Sequence, residues 1–121
     1  MKEGSCIINT ISAVAYIGEP TILDYSCAKG ALLTFTRSLG VQLIKRGIRV
    51  NGVAPGAIWT PLPVASLPVE RTVNYGSFAA MNRAGQPFEV APSYVFLASN
   101  ECSSYFTGQV LHPNGGVVVN A

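Results

Sequence analysis

Apolar positions in this chain fall into two rhythms, one short and continuous, the other stepping by three and four. Cys6-Ile7-Ile8 is a compact apolar run closing on Asn9-Thr10-Ile11, and its length and isoleucine content predict a buried strand over residues 5–11. Residues 13–23 contain Gly18 and Pro20 and read as a connection. Ala28, Leu32, Phe35, Leu39 and Leu43 then recur at helical spacing. They predict one long amphipathic helix over residues 24–46, with that set as its apolar stripe. Gly47 suits a left-handed cap, and Lys45-Arg46 suit the negative end of the helix dipole. Ile48, Val50 and Val53 mark a second strand over residues 48–53. Strand, helix and strand in that order predict a βαβ unit with a right-handed crossover.

The second half is more broken. Pro55-Gly56, Pro61, Pro63 and Pro68 predict a loop over residues 54–68, and residues 69–81 have room for a short helix. Val90, Tyr94 and Leu97 recur at helical spacing within residues 86–98. Pro87 fits a first turn, but Pro92 does not fit an interior, so the regular helix is expected to start only there. Residues 99–105 read as polar linker, residues 107–112 as a short third strand, and Pro113-Asn114-Gly115-Gly116 as a turn. No internal repeat or linker points to a second domain. The expected fold class is α/β, with about three strands and two main helices, in a single domain over residues 1–121.

Composition narrows the partners. Hydrophobic residues make up 49% of the chain and charged ones 12%, which excludes a disordered segment. The net charge of +2, with no basic cluster beyond Lys45-Arg46, gives no support to nucleic-acid binding. No apolar run approaches the ~20 residues of a membrane span. Glu3, Asn9, Thr10 and Ser12 interrupt the apolar start, so no signal peptide is expected. Cys6, Cys27 and Cys102 are odd in number and widely spaced, which reads as inert thiols in a reduced, intracellular protein, cytoplasmic by default. His112 stands alone, and no metal-ligand spacing occurs.

Candidate chemistry gathers around the helix start. Tyr25 and Lys29 are four residues apart and share a face, roughly 40° apart around the axis. Alone, such a pair is most often an ordinary surface pair. Ser12 lies just past the first strand, and alone it is more readily a strand-end hydrogen bonder. In open α/β sheets, however, ligands bind beyond the carboxyl ends of strands, which places Ser12 and the start of the helix at one edge. Pro55-Gly56 and Thr60 leave the second strand at that same edge. Gly56 permits close approach of a flat ligand, and Thr60 has a hydroxyl for a phosphate oxygen, although for this stretch alone a simple turn is the favoured explanation. Trp59 fits either loop packing or substrate contact.

Taken together, these runs resemble the short-chain dehydrogenase/reductase family. They are INTIS at residues 8–12, DYSCAKGAL at 24–32, RVNGVAPG at 49–56, Thr60, TGQ at 107–109 and NGG at 114–116. The stretches PGAIWTPL, NRAGQPFEVAPSYVFLAS and SSYFTGQVLHPNGG look most like its glucose/ribitol dehydrogenase-like branch. Asn114 stands where the family usually has Asp, and no role is assigned to it.

The resemblance implies NAD(P)-dependent hydride transfer between an alcohol and a carbonyl. In it, Tyr25 exchanges the proton with the substrate oxygen, and Ser12 holds that oxygen. Lys29 favours the phenolate and binds the nicotinamide ribose. The backbone at Pro55, Gly56 and Ile58 positions the nicotinamide, Thr60 lies near the diphosphate, and residues 62–80 cover the substrate. The cofactor is NAD or NADP, the substrate a small alcohol or carbonyl compound, and full-length relatives are expected to form homo-oligomers. No metal is implied.

The family's first half has no counterpart here. No GxGxxG-like turn occurs, and the chain opens at what would be the fifth strand of seven. The expectation is therefore the C-terminal part of a doubly wound Rossmann-type parallel sheet without its N-terminal cofactor-binding half. The first strand would then have a bare edge, and the helix face with Leu33, Val41 and Ile44 would lack neighbours. Such a chain should be marginally stable and poorly active alone. The competing function is a non-catalytic module that docks through that helix or edge.

Overall fold

The computed structural model describes residues 1–119. Its sheet has three parallel strands in the order β1 (Cys6–Thr10), β2 (Arg49–Val53) and β3 (Val110–Leu111). The register pairs Ile7 with Val50 and Thr10 with Val53, and on the other side Val53 with Leu111. The third strand is shorter than the sequence suggests. The fold class is as expected: a Rossmann-like α/β layer with helices on both faces.

Two helices cover the sheet. Helix α2 (Leu23–Leu43) continues as a short 3-10 turn to Arg46 and ends on Gly47, whose φ of 64° takes the left-handed cap. It packs Leu33 on Ile11 and Ala54, with Tyr16, Leu32 and Val110 around them. Helix α5 (Pro87–Ala98) packs Val90 and Leu97 on Val53 from the other side, joined by Ile8, Tyr94 and Phe106. Every residue of β2 is buried, as a central parallel strand requires.

The buried face of α2 differs from the expected stripe. Leu33, Thr36 and Gly40 are buried, whereas Ala28 and Phe35 of the expected set are exposed, Phe35 by 53%. The face turns because contact, not hydrophobicity, selects it. Thr36 accepts a hydrogen bond from Asn9 of β1 at 2.9 Å, and Gly40 sits so close to Thr107-Gly108 that a Cβ would lie 3.0 Å from the Gly108 nitrogen. Leu33, expected to lack neighbours, is therefore core, while Val41 and Ile44 are exposed as expected.

Four segments hold helix where loop or a later start was expected. Residues 14–17 form a single turn, α1 (Val14–Ile17), ending at Gly18. Helix α3 (Pro61–Ser66) begins with its prolines in the first turn, where a missing N–H leaves no bond unmade. Helix α5 runs from Pro87 through Pro92: Glu89 accepts the Gln86 N–H at 2.8 Å to secure its start, and Pro92 lies on the exposed side, where the freed carbonyl meets water. The expected linker contains α6 (Asn100–Ser103), capped by the Ser99 hydroxyl accepting the Cys102 N–H. Helix α4 (Val69–Val73) falls within the residues where a short helix was expected.

Candidate active site

Backbone pairing between β1 and β2 runs on beyond the strands. The Ile11 N–H donates to the Val53 carbonyl at 2.7 Å and the Ala13 N–H to the Pro55 carbonyl at 3.0 Å. Ser12, held between them, is buried at the carboxyl end of β1. Its Oγ accepts a long hydrogen bond of 3.4 Å from the Val14 N–H.

Tyr25 stands in the first turn of α2 and is 38% exposed. One turn on, Lys29 donates from Nζ to the Thr10 carbonyl at 2.7 Å, and the same nitrogen lies 5.5 Å from the centroid of the Tyr25 ring. Thr10 precedes Ser12 by two residues. The helix is thus tied to the strand end through its ammonium, with the Tyr25 ring beside that ammonium and Ser12 two residues further along the chain from Thr10.

The second candidate stretch leaves β2 at the same edge. The Gly56 N–H donates to the Pro113 carbonyl at 3.2 Å, and a Cβ on Gly56 would lie 2.8 Å from Asn114 Cα. The close approach that glycine permits here is to the backbone of that turn. Asn114 itself ties the turn together, donating to the Val117 carbonyl and accepting from the Gly116 N–H. Gly85 clasps the stretch further on: its N–H donates to Ala57 at 2.9 Å, its carbonyl accepts from Trp59 at 2.8 Å, and Ile58 pairs with it in parallel. Thr60 is the N-cap residue of α3, in extended conformation, and its hydroxyl makes no cap bond. At this edge the Thr60 hydroxyl and the Lys29 ammonium suit the nicotinamide half of a dinucleotide, and among the described residues no Gly-rich turn offers a cradle for the rest.

Several groups escaped the sequence reading because they meet across long separations. Arg71 of α4 donates to the Thr21 hydroxyl at 3.2 Å, and that hydroxyl donates to Glu19 at 2.6 Å. The hydrogen bonds from Thr21, and then the Arg71 charge, hold the Glu19 carboxyl below its ordinary range. Helix α4 is thereby tethered to the segment leading into Tyr25. Tyr75, just past α4, is half-buried. Burial pushes its phenol above the ordinary value, the Ile58 backbone amide acts against that, and the neighbouring Tyr25 adds to it.

Two further polar pairs flank the site. Arg83 and Glu89 form a bidentate ion pair at 2.7 Å, and this bond, with the Gln86 N–H, lowers the Glu89 carboxyl to about 2. Tyr16 and His112 meet edge-on with ring centroids 4.7 Å apart, the Tyr16 hydroxyl lies near Arg37, and among the described residues His112 Nδ1 is buried without a hydrogen-bond partner. His112 also lines a cavity of about 330 Å³ beside Ala57, Ile58 and Arg83. Buried Arg49 and Asn51 serve the frame instead. Arg49 donates to Leu97, Asn100 and Ser103, and Asn51 links β2 to the approach of β3 through Phe106 and Gln109. A strand reading R-V-N-G, with polar residues at alternate positions, was the available signal for both.

Comparison with known proteins finds relatives along the whole chain. A family model described as enoyl-(acyl carrier protein) reductase matches residues 1–118. The chain is 68% identical over its whole length to the NADPH-dependent aldehyde reductase 1, chloroplastic, of Arabidopsis thaliana, and covers 42% of that protein. It is 59% identical, over 99% of its length, to the glucose and ribitol dehydrogenase of Daucus carota, covering 41% of it. A crystal structure of a short-chain dehydrogenase/reductase, glucose/ribitol dehydrogenase, from Brucella melitensis superposes with a TM-score of 0.85 at 34% identity, covering 99% of this chain and 48% of that one. The chain thus spans less than half the length of these relatives.

Proposed function

The chain belongs to the short-chain dehydrogenase/reductase family, and from that premise we propose that it carries the proton-transfer part of an NAD(P)-dependent alcohol/carbonyl oxidoreductase. The observation that supports this best is the Lys29 ammonium, 5.5 Å from the centroid of the Tyr25 ring and bonded at 2.7 Å to the carbonyl of Thr10, the last residue of β1 and two residues before Ser12.

Each group has a part. Ser12 holds the substrate oxygen by a hydrogen bond. Tyr25 gives that oxygen a proton in the direction of reduction and removes one in oxidation. Lys29, fixed by the strand, stabilises the negative charge left on the phenol oxygen and offers a donor to the nicotinamide ribose. The backbone of Pro55, Gly56 and Ile58 positions the nicotinamide, and the Thr60 hydroxyl lies near the diphosphate. A bound nicotinamide supplies or accepts the hydride. NADPH is the favoured form, as in the name of the 68% identical relative, and the substrate is a small aldehyde or hydroxylated alcohol, as the names of the relatives have it. The free thiols of Cys6, Cys27 and Cys102 fit a reducing interior, the cytoplasm or a plastid.

The test is aldehyde-dependent oxidation of NADPH by the native gene product at its natural length. Tyr25→Phe should cut turnover by roughly 10²–10⁴-fold, the usual worth of a general acid. Turnover equal to wild type would rule out the assigned role.

Exposed Phe35 and Val41 on α2 favour a second reading, a docking module that assembles with further copies or relatives. A fluorescence titration of NADPH with the chain separates the two: a saturable change supports the catalytic reading, and none supports the docking one.

A further inference from the structure

The site contains a second phenol that the proton-transfer reading leaves unused. Tyr75 lies in an excursion pinned on both sides. On one side Arg71 bonds Thr21, four residues before Tyr25; on the other Gly85 exchanges hydrogen bonds with Ala57 and Trp59. Between these anchors the backbone is set by turns, Tyr75 N–H to Thr72 at 3.1 Å and Ser77 N–H to Asn74 at 3.1 Å. Gly76 has a φ of 91° and lies against the Ala84 backbone, where any side chain would collide. The Tyr75 ring is therefore held in one place. It faces the Ile58 backbone and Tyr25, and with Trp59, Asn74, Ser77, Asn82 and Arg83 it lines a cavity of about 690 Å³.

We propose that Tyr75 is a substrate-binding residue whose hydroxyl donates to an oxygen beyond the reacting carbonyl. The site therefore prefers aldehydes bearing further hydroxyl or carbonyl oxygens to hydrocarbon aldehydes of equal length. The inference rests on the oxidoreductase reading above and adds a discriminating group to it.

The chemistry of the walls fits such a chain. Amides of Asn74 and Asn82, the Ser77 hydroxyl and the Arg83 guanidinium supply donors and acceptors, while Trp59 offers an apolar face to the carbon backbone. A substrate oxygen gains hydrogen bonds from these exposed groups, whereas a hydrocarbon tail of the same length gains none and displaces their water. Because burial raises its pKa above the ordinary value, the Tyr75 phenol stays protonated through the neutral range and remains a donor.

The experiment compares glyceraldehyde with propanal, each with NADPH, on the native gene product at its natural length. Wild type should show the higher kcat/KM with glyceraldehyde, and Tyr75→Phe should lower the glyceraldehyde-to-propanal ratio by roughly 10-fold with an unchanged thermal midpoint. A merely structural role would lower both substrates together and leave the ratio alone, which would overturn the proposal. So would a wild-type preference for propanal, a result that needs no variant. Turnover of neither aldehyde removes the oxidoreductase reading itself, and this inference with it.

Discussion

His112 is the chain's single histidine, so its titration can be followed without overlap. Burial, and then the Arg37 charge, lower its pKa from the ordinary 6.5. An unfolded chain takes up the proton at 6.5, whereas the folded one resists it. The stability this contributes is therefore full above pH 6.5 and declines as pH falls through the folded pKa. Imidazole NMR should give a midpoint below 6.5, and His112→Gln should flatten the acid limb of a urea-midpoint against pH profile. A midpoint at or above 6.5 would contradict the packing described. At this scale the sequence offers candidates where residues lie in contiguous runs: Ser12, Tyr25, Lys29 and Pro55-Gly56 are candidates because each sits in a short run that resembles the family's. Tyr75, the Tyr16–His112 contact and the Arg71–Thr21 bond could not, since each joins residues far apart in the chain. Side-chain encounters of that kind leave no periodicity to read.

Helix α2 shows how an element's position can be legible while its face is not. Strand, helix and strand appear in the expected order because local spacing and the Gly47 cap set their limits. The buried stripe turned away from Phe35 because the tightest contacts go to the smallest groups, Thr36 on Asn9 and Gly40 on Gly108. A hydrophobic count gives such positions little weight. Gly40→Val should therefore separate α2 from the Thr107-Gly108 turn and cost about 1–3 kcal/mol, as overpacking does elsewhere. Thermal or urea unfolding measures it, and a variant as stable as wild type would mean the helix can move aside. Helices α3 and α5 teach the opposite caution about proline. A proline in a first turn begins a helix, and one on a wet face is tolerated, so Pro61, Pro63 and Pro92 broke nothing.

For the whole molecule, order and class were readable because a parallel sheet needs a helical crossover, and the alternation of strand and helix signals states one. What covers the outer surfaces was not. Among the described residues β1 has no partner on its far side, and Leu23, Phe35 and Val41 of α2 are exposed by 70%, 53% and 75%. A bare edge beside apolar surface favours association. The 121-residue chain by itself should sediment faster as its concentration rises. Phe35→Lys with Val41→Lys should reduce that dependence. A monomer at every concentration would show that these surfaces are inert.

The clasp at Gly85 gives this layout a further property. Because Gly85 trades hydrogen bonds with both Ala57 and Trp59, the stretch between is a loop whose two ends meet. Residues 61–75 form a cassette inside that loop: Lys29 keeps its own bond to Thr10 of β1 whatever the cassette holds, and the Arg71–Thr21 bond ties the cassette to the segment ahead of Tyr25. Under the proposed function, substrate taste can drift by rewriting that cassette while Lys29 stays moored to the sheet.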